Sequence, residues 1–343
     1  MKQISSKLAI AIAVASLAAC SADDGSDGAD GVNGTNGIDG TNGVTNYIPE
    51  GLRRMATAPL GAEFTGMYVN TDGTFFINVQ HPSSSNTTLD TNGKVFNKGT
   101  VGTVVGADFN NLGDVAAMDP PILDEHREVV MTAVGEYQVL AQQNDVMLDS
   151  NEMGDILALD GTTLIKSSND PDFNGVISDG GSGFYVYTNW EDRPGSMSRI
   201  QLSGLTSNGY STINQQGMLD FSSVDGTWVN CFGTVSPWNT PLSAEELYFD
   251  NTEEWYDASA PYFGNPQALA QYLGLATDGS GASWPNPYKY GYNVEIGVNG
   301  TATAVAVADV EVNKLEALGR FSHENAVVMP DNKTVFMSDD GTG

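Results

Sequence analysis

Short runs of alternating apolar and polar residues, each folded back at a polar turn, constrain the fold of this chain most strongly. In "GMYVNTDGTFFINVQHP" the apolar residues alternate on both sides of Asp72 and Gly73, and "ILALDGTTLIK" repeats the pattern around Asp160 and Gly161. A third stretch, "NAVVMPDNKTVFMSDDG", turns at an Asp-Asn pair. Alternation with a period of two is typical of half-buried strands, and Asp-Gly favours the tight turn of a β-hairpin. The chain is therefore predicted to fold mainly as antiparallel β-sheet.

Helical patterns are short and few. They are confined to "NPQALAQYLGL" and "LSAEELYF", whereas "FYVYTNW" and "YNVEIGV" are further candidate strands. Many hairpins at irregular spacing fit either a β-sandwich or a β-propeller. A clean repeat of roughly 40–50 residues, the usual length of a propeller blade, is absent. The pattern alone leaves these two folds open.

The amino-terminal segment has the pattern of an export signal. Lys2 and Lys7 lead into an apolar run interrupted by one serine, so residues 1–19 are predicted to be a signal peptide. The run ends in Leu-Ala-Ala-Cys20, which resembles the lipobox of bacterial lipoproteins and implies lipidation of the Cys20 sulfur and a membrane anchor. Ser21 favours the outer membrane, at its periplasmic face or at the cell surface. Ordinary secretion with an incidental cysteine is the alternative.

Residues 20–44 carry glycine at every third position over most of their length. The period is that of collagen, but the segment lacks proline, so the geometry of a triple helix is not preset. We interpret this segment as a flexible acidic linker between the lipidated cysteine and a domain over residues 45–343. A trimerising stalk is the alternative, and the oligomeric state stays open.

Acidic residues outnumber basic residues by 43 to 14, which gives a formal net charge of −29. A surface of this sign repels nucleic acid, so no nucleic-acid partner is expected. It favours hard cations such as calcium, which bind through carboxylate oxygens. Most of the charges are nevertheless expected to be solvated, and only clustered ones indicate a site.

Cys231 is left without an intramolecular disulfide partner once Cys20 is lipidated. Its thiol can be buried and inert, paired between chains, or bound to a metal. The three histidines lack the spacing of a zinc site, and neither a GxSxG elbow nor a Walker loop is present. Several glutamates lie near strand ends, and a thiolate with carboxylates suits iron or calcium. Each carboxylate taken singly is more typical of a solvated loop.

Three longer stretches resemble conserved blocks of the PhoX-type alkaline phosphatases and their DUF839 relatives. They are "NCFGTVSPWNTPLSAEE", "LGRFSHENAVVMPDNKTVFMSDDGTG" and "GAEFTGMYVNTDGTFFINVQHP", and "TNWEDRPG" is similar to a strand end of the same family. Together these stretches reach across most of residues 50–343.

The resemblance implies a β-propeller that binds iron and calcium in its central opening and hydrolyses phosphomonoesters. By motif, Cys231 is implied as the thiolate ligand of iron, and Glu246 and Glu324 as carboxylate ligands at the catalytic site. The resemblance implies four further metal-ligand candidates: Glu245, Glu191, Asp340 and Asn189.

Two departures from the family pattern predict an altered or partial propeller. The block around Asp72 lies near the carboxyl end of the relatives but precedes the other blocks here, which indicates a permuted arrangement or a divergent subfamily. The relatives continue for several blades past the position of Gly343, so this chain is expected to be a fragment with an incomplete ring.

The function predicted from these observations is metal-dependent hydrolysis of small phosphomonoesters outside the cytoplasm. The alternative is a calcium-binding propeller lipoprotein of the cell surface that catalyses no reaction. A phosphodiesterase or a phytase-like hydrolase on similar metals is a third hypothesis.

Overall fold

Antiparallel β-strands dominate the fold, as the alternating sequence pattern predicts. The structure is a computed structural model that describes residues 52–211, 217–246, 252–279 and 284–341. In chain order the strands of these segments are β1 (Ala56–Thr57), β2 (Glu63–Val69), β3 (Phe75–Gln80), β4 (Thr100–Val105), β5 (Met131–Thr132), β6 (Glu136–Gln142), β7 (Asp155–Leu157), β8 (Leu164–Ser167), β9 (Pro171–Ser178), β10 (Phe184–Trp190), β11 (Ser196–Leu202), β12 (Gly217–Met218), β13 (Asn230–Val235), β14 (Pro241–Glu245), β15 (Asn293–Ile296), β16 (Val312–Lys314), β17 (His323–Val328) and β18 (Val335–Asp339).

Helices in the described segments are short. The α-helices are α1 (Asp124–Arg127), α2 (Thr252–Trp255) and α3 (Gly264–Tyr272). The 3-10 turns are Ser222–Val224, Pro287–Lys289, Val298–Thr303, Val307–Asp309 and Glu316–Leu318. No helix among the described residues has the length and apolar character needed to cross a bilayer. The predicted signal peptide, the lipidation of Cys20 and the linker to residue 44 lie outside the described residues.

Three of the sheets share one up-and-down topology of four antiparallel strands. Their orders are β2-β3-β4-β6, β9-β10-β11-β12 and β13-β14-β15-β16. Strands β17 and β18 form a further hairpin, and β1-β5 and β7-β8 are two-stranded sheets. The all-β prediction is confirmed at this level. In the described part of the chain the sheets do not close into a barrel, and the propeller stays a prediction.

Two apolar cores join the three larger sheets. One core packs Phe76 of the first sheet against Val186 and Trp190 of the second. The other packs Tyr187 of the second sheet against Val294 of the third, and all five side chains are fully buried. Burying one such side chain stabilises the fold by roughly 1.5–3 kcal/mol. The second sheet is therefore held between the first and the third.

The first strands of successive sheets lie beside one another. Strand β9 contacts both β2 and β13, and β13 in turn contacts β17. Because the two strands of a hairpin run antiparallel, the start of the first strand and the end of the second lie at the same edge. Polar residues at these positions in different hairpins therefore converge.

The prediction of a helix over "LSAEELYF" is wrong, because Pro241–Glu245 forms β14 in the middle of the third sheet. Over so few residues the helical and strand periods are hard to distinguish, and pairing with β13 and β15 decides the structure. Adjacent residues of a strand face opposite sides, so Glu245 and Glu246 point apart. The helix predicted in "NPQALAQYLGL" is confirmed as α3.

Candidate metal centre

Cys231 lies at the beginning of β13 and is 5% exposed. Its Sγ is 3.3 Å from Asp172 Oδ2 and 3.5 Å from Glu324 Oε2. Two triplets share this sulfur, one with Asp172 and Glu191 and one with Glu246 and Glu324, and the donor atoms of each triplet all lie within 4.8 Å of one another. We call these five residues the thiol–carboxylate cluster. The structure thus brings together four of the predicted site residues.

Three of these side chains lie where the pairing of the first strand of a hairpin with its second strand is irregular. The pairing register shifts between 171 and 174 in β9, between 230 and 233 in β13 and between 323 and 325 in β17. Asp172, Cys231 and Glu324 lie in these intervals. An extra residue on one strand is a β-bulge, which turns a side chain out of the regular alternation and recurs next to functional sites. Each of the three hairpins therefore presents one donor from a bulge.

The second strand of each hairpin supplies another acid at the same edge. Glu191 directly follows β10, Glu246 follows β14 and Asp340 follows β18. The strand ends are paired across each hairpin: the last residue of β10, β14 and β18 faces the first residue of β9, β13 and β17. Each of these hairpins therefore contributes one bulge donor and one acid that follows the hairpin.

The hairpin of β2 and β3 also has a bulge, but glycine stands where the other hairpins carry a donor side chain. Its register shifts between Thr65 and Tyr68, where Gly66 adopts a positive φ of 60°. A Cβ at Gly66 would lie 2.2 Å from the backbone oxygen of Asp172. The side chain of Asn78 in β3 donates a hydrogen bond to that same oxygen. Glycine therefore lets this hairpin approach β9 and fix the backbone of a cluster residue.

Burial raises the pKa values of the acids in the thiol–carboxylate cluster. Burial raises the pKa of Asp172 to about 6. Burial, followed by the nearby Glu191 charge, raises the pKa of Glu246 to about 8. The pKa values of Glu191 and Cys231 are raised well above their usual range, by burial first and by the Asp172 carboxylate second. Burial also raises the pKa of Glu324. The cluster cannot carry its full negative charge unless cations compensate it.

The donor set fits a metal site. Asp172 Oδ1 is buried and has no hydrogen-bond partner among the described residues. Leaving such an atom unsatisfied costs about 1–3 kcal/mol or more, which coordination of an ion would remove. The ion pairs of the described residues do not include the cluster carboxylates. A thiolate among carboxylates suits iron, and carboxylates alone suit calcium.

Glu245 lies apart from the cluster, although its motif implied a metal ligand. It is fully buried, and its carboxylate accepts hydrogen bonds at 3.0 Å from the backbone N–H groups of Trp228, Gly291 and Tyr292. Lys314 Nζ lies 3.0 Å from the same carboxylate. Both oxygens are therefore committed to a buried ion pair that anchors the end of β14.

Two other predicted ligands lie next to the cluster. The buried Asn189 amide donates to the backbone oxygen of Cys231, and its Oδ1 accepts from Ser243. Asn189 thus holds the bulge that carries the thiol. Asp340 is half-buried, and its interaction with Glu246 contributes to the raised pKa of Glu246.

Asp172 is the cluster member that the sequence interpretation missed. It stands inside "NDPDFNG", which matches no motif, and its neighbours give no chemical signal. Its position relative to its own hairpin is the usable signal. Asp172 precedes the apolar run of β9 as Cys231 precedes that of β13, and each is followed by a second strand that ends next to a glutamate.

An imidazolium also lies at the edge where these hairpins begin. His81 Nε2 is 2.9 Å from Glu63 Oε1, and its Nδ1 is 2.9 Å from the Gly61 backbone oxygen. The hydrogen bond to Glu63 raises the pKa of His81 to about 9, although partial burial opposes the shift. The charge of Glu63 also acts on Glu324, which places this ion pair within electrostatic range of the cluster.

Part of the chain matches the model of one known protein family. Residues 176–343 match the family model described as alkaline phosphatase PhoX. No curated protein and no solved structure matches the chain. The matched segment starts inside β9 and contains every cluster residue except Asp172, which lies four residues before it. Residues 176–343, just under half of the chain, are therefore similar to the PhoX alkaline phosphatases.

Proposed function

We propose that this protein is a metal-dependent phosphatase that hydrolyses small phosphomonoesters outside the cytoplasm. The observation that carries the proposal is the convergence of three hairpins on the Cys231 sulfur, which gathers four carboxylates and a thiol. The match of residues 176–343 to the PhoX alkaline phosphatase model supports the phosphatase assignment.

The charge of the cluster sets a condition on the reaction. A phosphomonoester dianion and ionised carboxylates repel each other, so the chain alone cannot attract this substrate to the site. Bound iron and calcium would supply the positive charge that neutralises the carboxylates and attracts the phosphoryl oxygens. The soft sulfur of Cys231 would hold iron, and the hard oxygens of Glu246 and Glu324 would hold iron or calcium.

The chain positions these donors through its own hydrogen bonds. Asn189 fixes the backbone of Cys231, and Asn78 fixes that of Asp172. Donors held in this way lose little freedom when an ion binds, which favours affinity and a single geometry. At the same edge His81 is paired with Glu63, so this ion pair adds no net charge to the site.

Location outside the cytoplasm is part of the proposal. It is supported by the signal-like residues 1–19 and by the lipobox that ends at Cys20. We expect a lipid anchor at Cys20 in the outer membrane. Replacement of Cys20 by alanine should move the protein from the membrane fraction to the soluble fraction, and an unchanged distribution would contradict the anchor.

The decisive experiment uses the full-length protein purified with its metals. Wild type should contain iron and calcium by elemental analysis and should hydrolyse p-nitrophenyl phosphate. Cys231→Ser should lose iron and retain less than about a hundredth of the turnover, since even partners of metal ligands contribute 10–100-fold. Asp119→Asn, which removes an exposed carboxylate far along the chain from the cluster residues, is the matched control and should change neither value.

Three outcomes would contradict the proposal. Turnover that is unchanged in Cys231→Ser, together with wild type that lacks iron, would remove the cluster from the reaction. A protein that chelators destabilise but that hydrolyses no phosphoester would instead be a non-catalytic calcium-binding lipoprotein. Preferential hydrolysis of bis-p-nitrophenyl phosphate would identify a phosphodiesterase.

A further inference from the structure

A cavity lies at the opposite ends of the strands that carry the thiol–carboxylate cluster. The thiol–carboxylate cluster marks the start of β9 and β13, whereas this cavity is lined by the end of β9, by the β13–β14 turn and by the segment after β15. From Asp172 to Ile177 the strand rises by about 17 Å, at roughly 3.3 Å per residue. The cavity is therefore separate from the candidate metal centre.

The cavity has the size and the mixed lining of a small-molecule site. Its volume is about 620 Å³, within the range of roughly 300–1,000 Å³ that is usual for ligand pockets. The residues that matter for recognition are Trp238, Asn239, Thr240, Glu295, Asn299 and Thr303.

Trp238 is hydrogen-bonded through its indole while half of its side chain is exposed. Trp238 lies in the Pro-Trp step of the motif that also contains Cys231 and Glu246, but it is not part of the candidate metal centre. Its side chain is 49% exposed, and its indole N–H donates to Glu295 Oε1 at 2.6 Å. Thr240 Oγ1 donates to the same oxygen at 2.7 Å. Because the ring is already fixed, a ligand that stacks on it loses little side-chain entropy.

Several polar groups around the ring are free to bind a ligand. Within the described segments, no protein group hydrogen-bonds Glu295 Oε2, the Asn239 side chain, Asn299 Oδ1 or the Thr303 hydroxyl. Together they include a carboxylate acceptor, an amide that donates and accepts, and a hydroxyl. A ligand that fits them carries many groups able both to donate and to accept.

The chemistry of the cavity favours an uncharged polyhydroxylated ligand. Glu295 and the net charge of −29 repel phosphates and other anions. The polar rim is unfavourable for a purely apolar ligand. A sugar ring presents an apolar C–H face to an aromatic ring and hydroxyl groups to the surrounding polar atoms.

We propose that this cavity binds a neutral saccharide of one or two rings, with Trp238 as the stacking surface and with Glu295 and Asn239 bonded to its hydroxyl groups. This site is independent of the phosphatase proposal, since it shares no residue with the thiol–carboxylate cluster.

The test titrates the full-length protein with cellobiose, maltose, lactose and sucrose, with binding followed by calorimetry and by saturation-transfer NMR. At least one disaccharide should bind wild type. Trp238→Ala should weaken that binding at least about tenfold, as expected for the loss of roughly 1.4 kcal/mol. Asn239→Gly should weaken it a few-fold while preserving the backbone, because Asn239 has a φ of 63° that glycine adopts freely.

Tyr288→Ala removes another exposed aromatic side chain and is the matched control, which should bind as wild type does. Near-ultraviolet circular dichroism should show that each variant is folded, and Trp238→Phe should retain part of the affinity. The proposal is overturned if none of the four disaccharides binds or if binding survives in Trp238→Ala. Binding of tetramethylammonium at Trp238 in place of sugar would also overturn the proposal, since such binding would identify a cation site.

Discussion

Removal of metal should make the stability of this protein fall steeply as the pH rises. Glu246 is 3% exposed, and burial and the neighbouring acids raise its pKa from 4.5 to about 8. The folded chain then holds a proton at Glu246 that the unfolded chain has already released above pH 4.5. Whenever the folded state binds more protons than the unfolded state, the free energy of unfolding decreases with increasing pH.

The size of the effect follows from the width of the pH window. One proton contributes about 1.4 kcal/mol per pH unit between the two pKa values. From pH 5 to pH 8 the single proton of Glu246 therefore accounts for a loss of about 4 kcal/mol. Typical domains have a total stability of roughly 5–15 kcal/mol, so the loss should be readily measured.

The assay is urea unfolding of chelator-treated protein at pH 5, 6, 7 and 8, with Glu246→Gln beside wild type. Glutamine resembles the protonated acid, so the variant should match wild type at pH 5 and exceed it by about 4 kcal/mol at pH 8. Added calcium should restore wild type at high pH, because metal binding requires ionised ligands. Parallel pH profiles of the two chelated proteins would refute the reasoning, and so would wild-type stability that rises over this range.

Three further substitutions test the packing around the site. Lys314→Met should lower the free energy of unfolding by about 3–5 kcal/mol, because it leaves the buried Glu245 charge unpaired. In urea unfolding, the double variant Lys314→Met with Glu245→Gln should lose less stability than the sum of the losses of the two single variants. Gly66→Ala should lower metal content measured by elemental analysis, because its Cβ would displace the backbone of Asp172; unchanged metal content would contradict this. Asn189→Ala should lower the midpoint of thermal unfolding by an amount equivalent to about 1–3 kcal/mol and reduce iron content, since the carbonyl of the cluster cysteine loses its donor.

The parts of the structure that sequence could predict depend on local chemistry. The Asp-Gly turns fixed two hairpins because few other conformations suit those residues, and the long motifs singled out Cys231, Glu246 and Glu324. Asp172 escaped because its importance arises from contacts with residues distant in the chain. Its Oδ2 faces a thiol 59 residues away, and its backbone is fixed by Asn78, 94 residues away.

Neighbouring residues were harder to separate by sequence than distant ones. Glu245 and Glu246 are equally acidic and lie in the same motif, so spacing alone could not divide them. The two glutamates have different surroundings because Glu245 ends strand β14, whereas the sequence pattern predicted a helix there. Once β14 is paired on both sides, Glu245 turns towards Lys314 and Glu246 towards Cys231.

Three hairpins supply donors to the site through the same geometry. Each donor pair needs only a bulge at the start of one strand and an acid just after the next, so any hairpin that packs beside β9 or β13 can supply one. Register is the stricter requirement, because a slip of one residue would turn a bulge donor such as Cys231 or Asp172 towards the other face of its sheet. The first hairpin fits this view: it has glycine at position 66 in place of a donor, and the backbone of Asp172 occupies the space that a side chain there would need. A hairpin in this arrangement thus either provides a ligand or supports the one beside it.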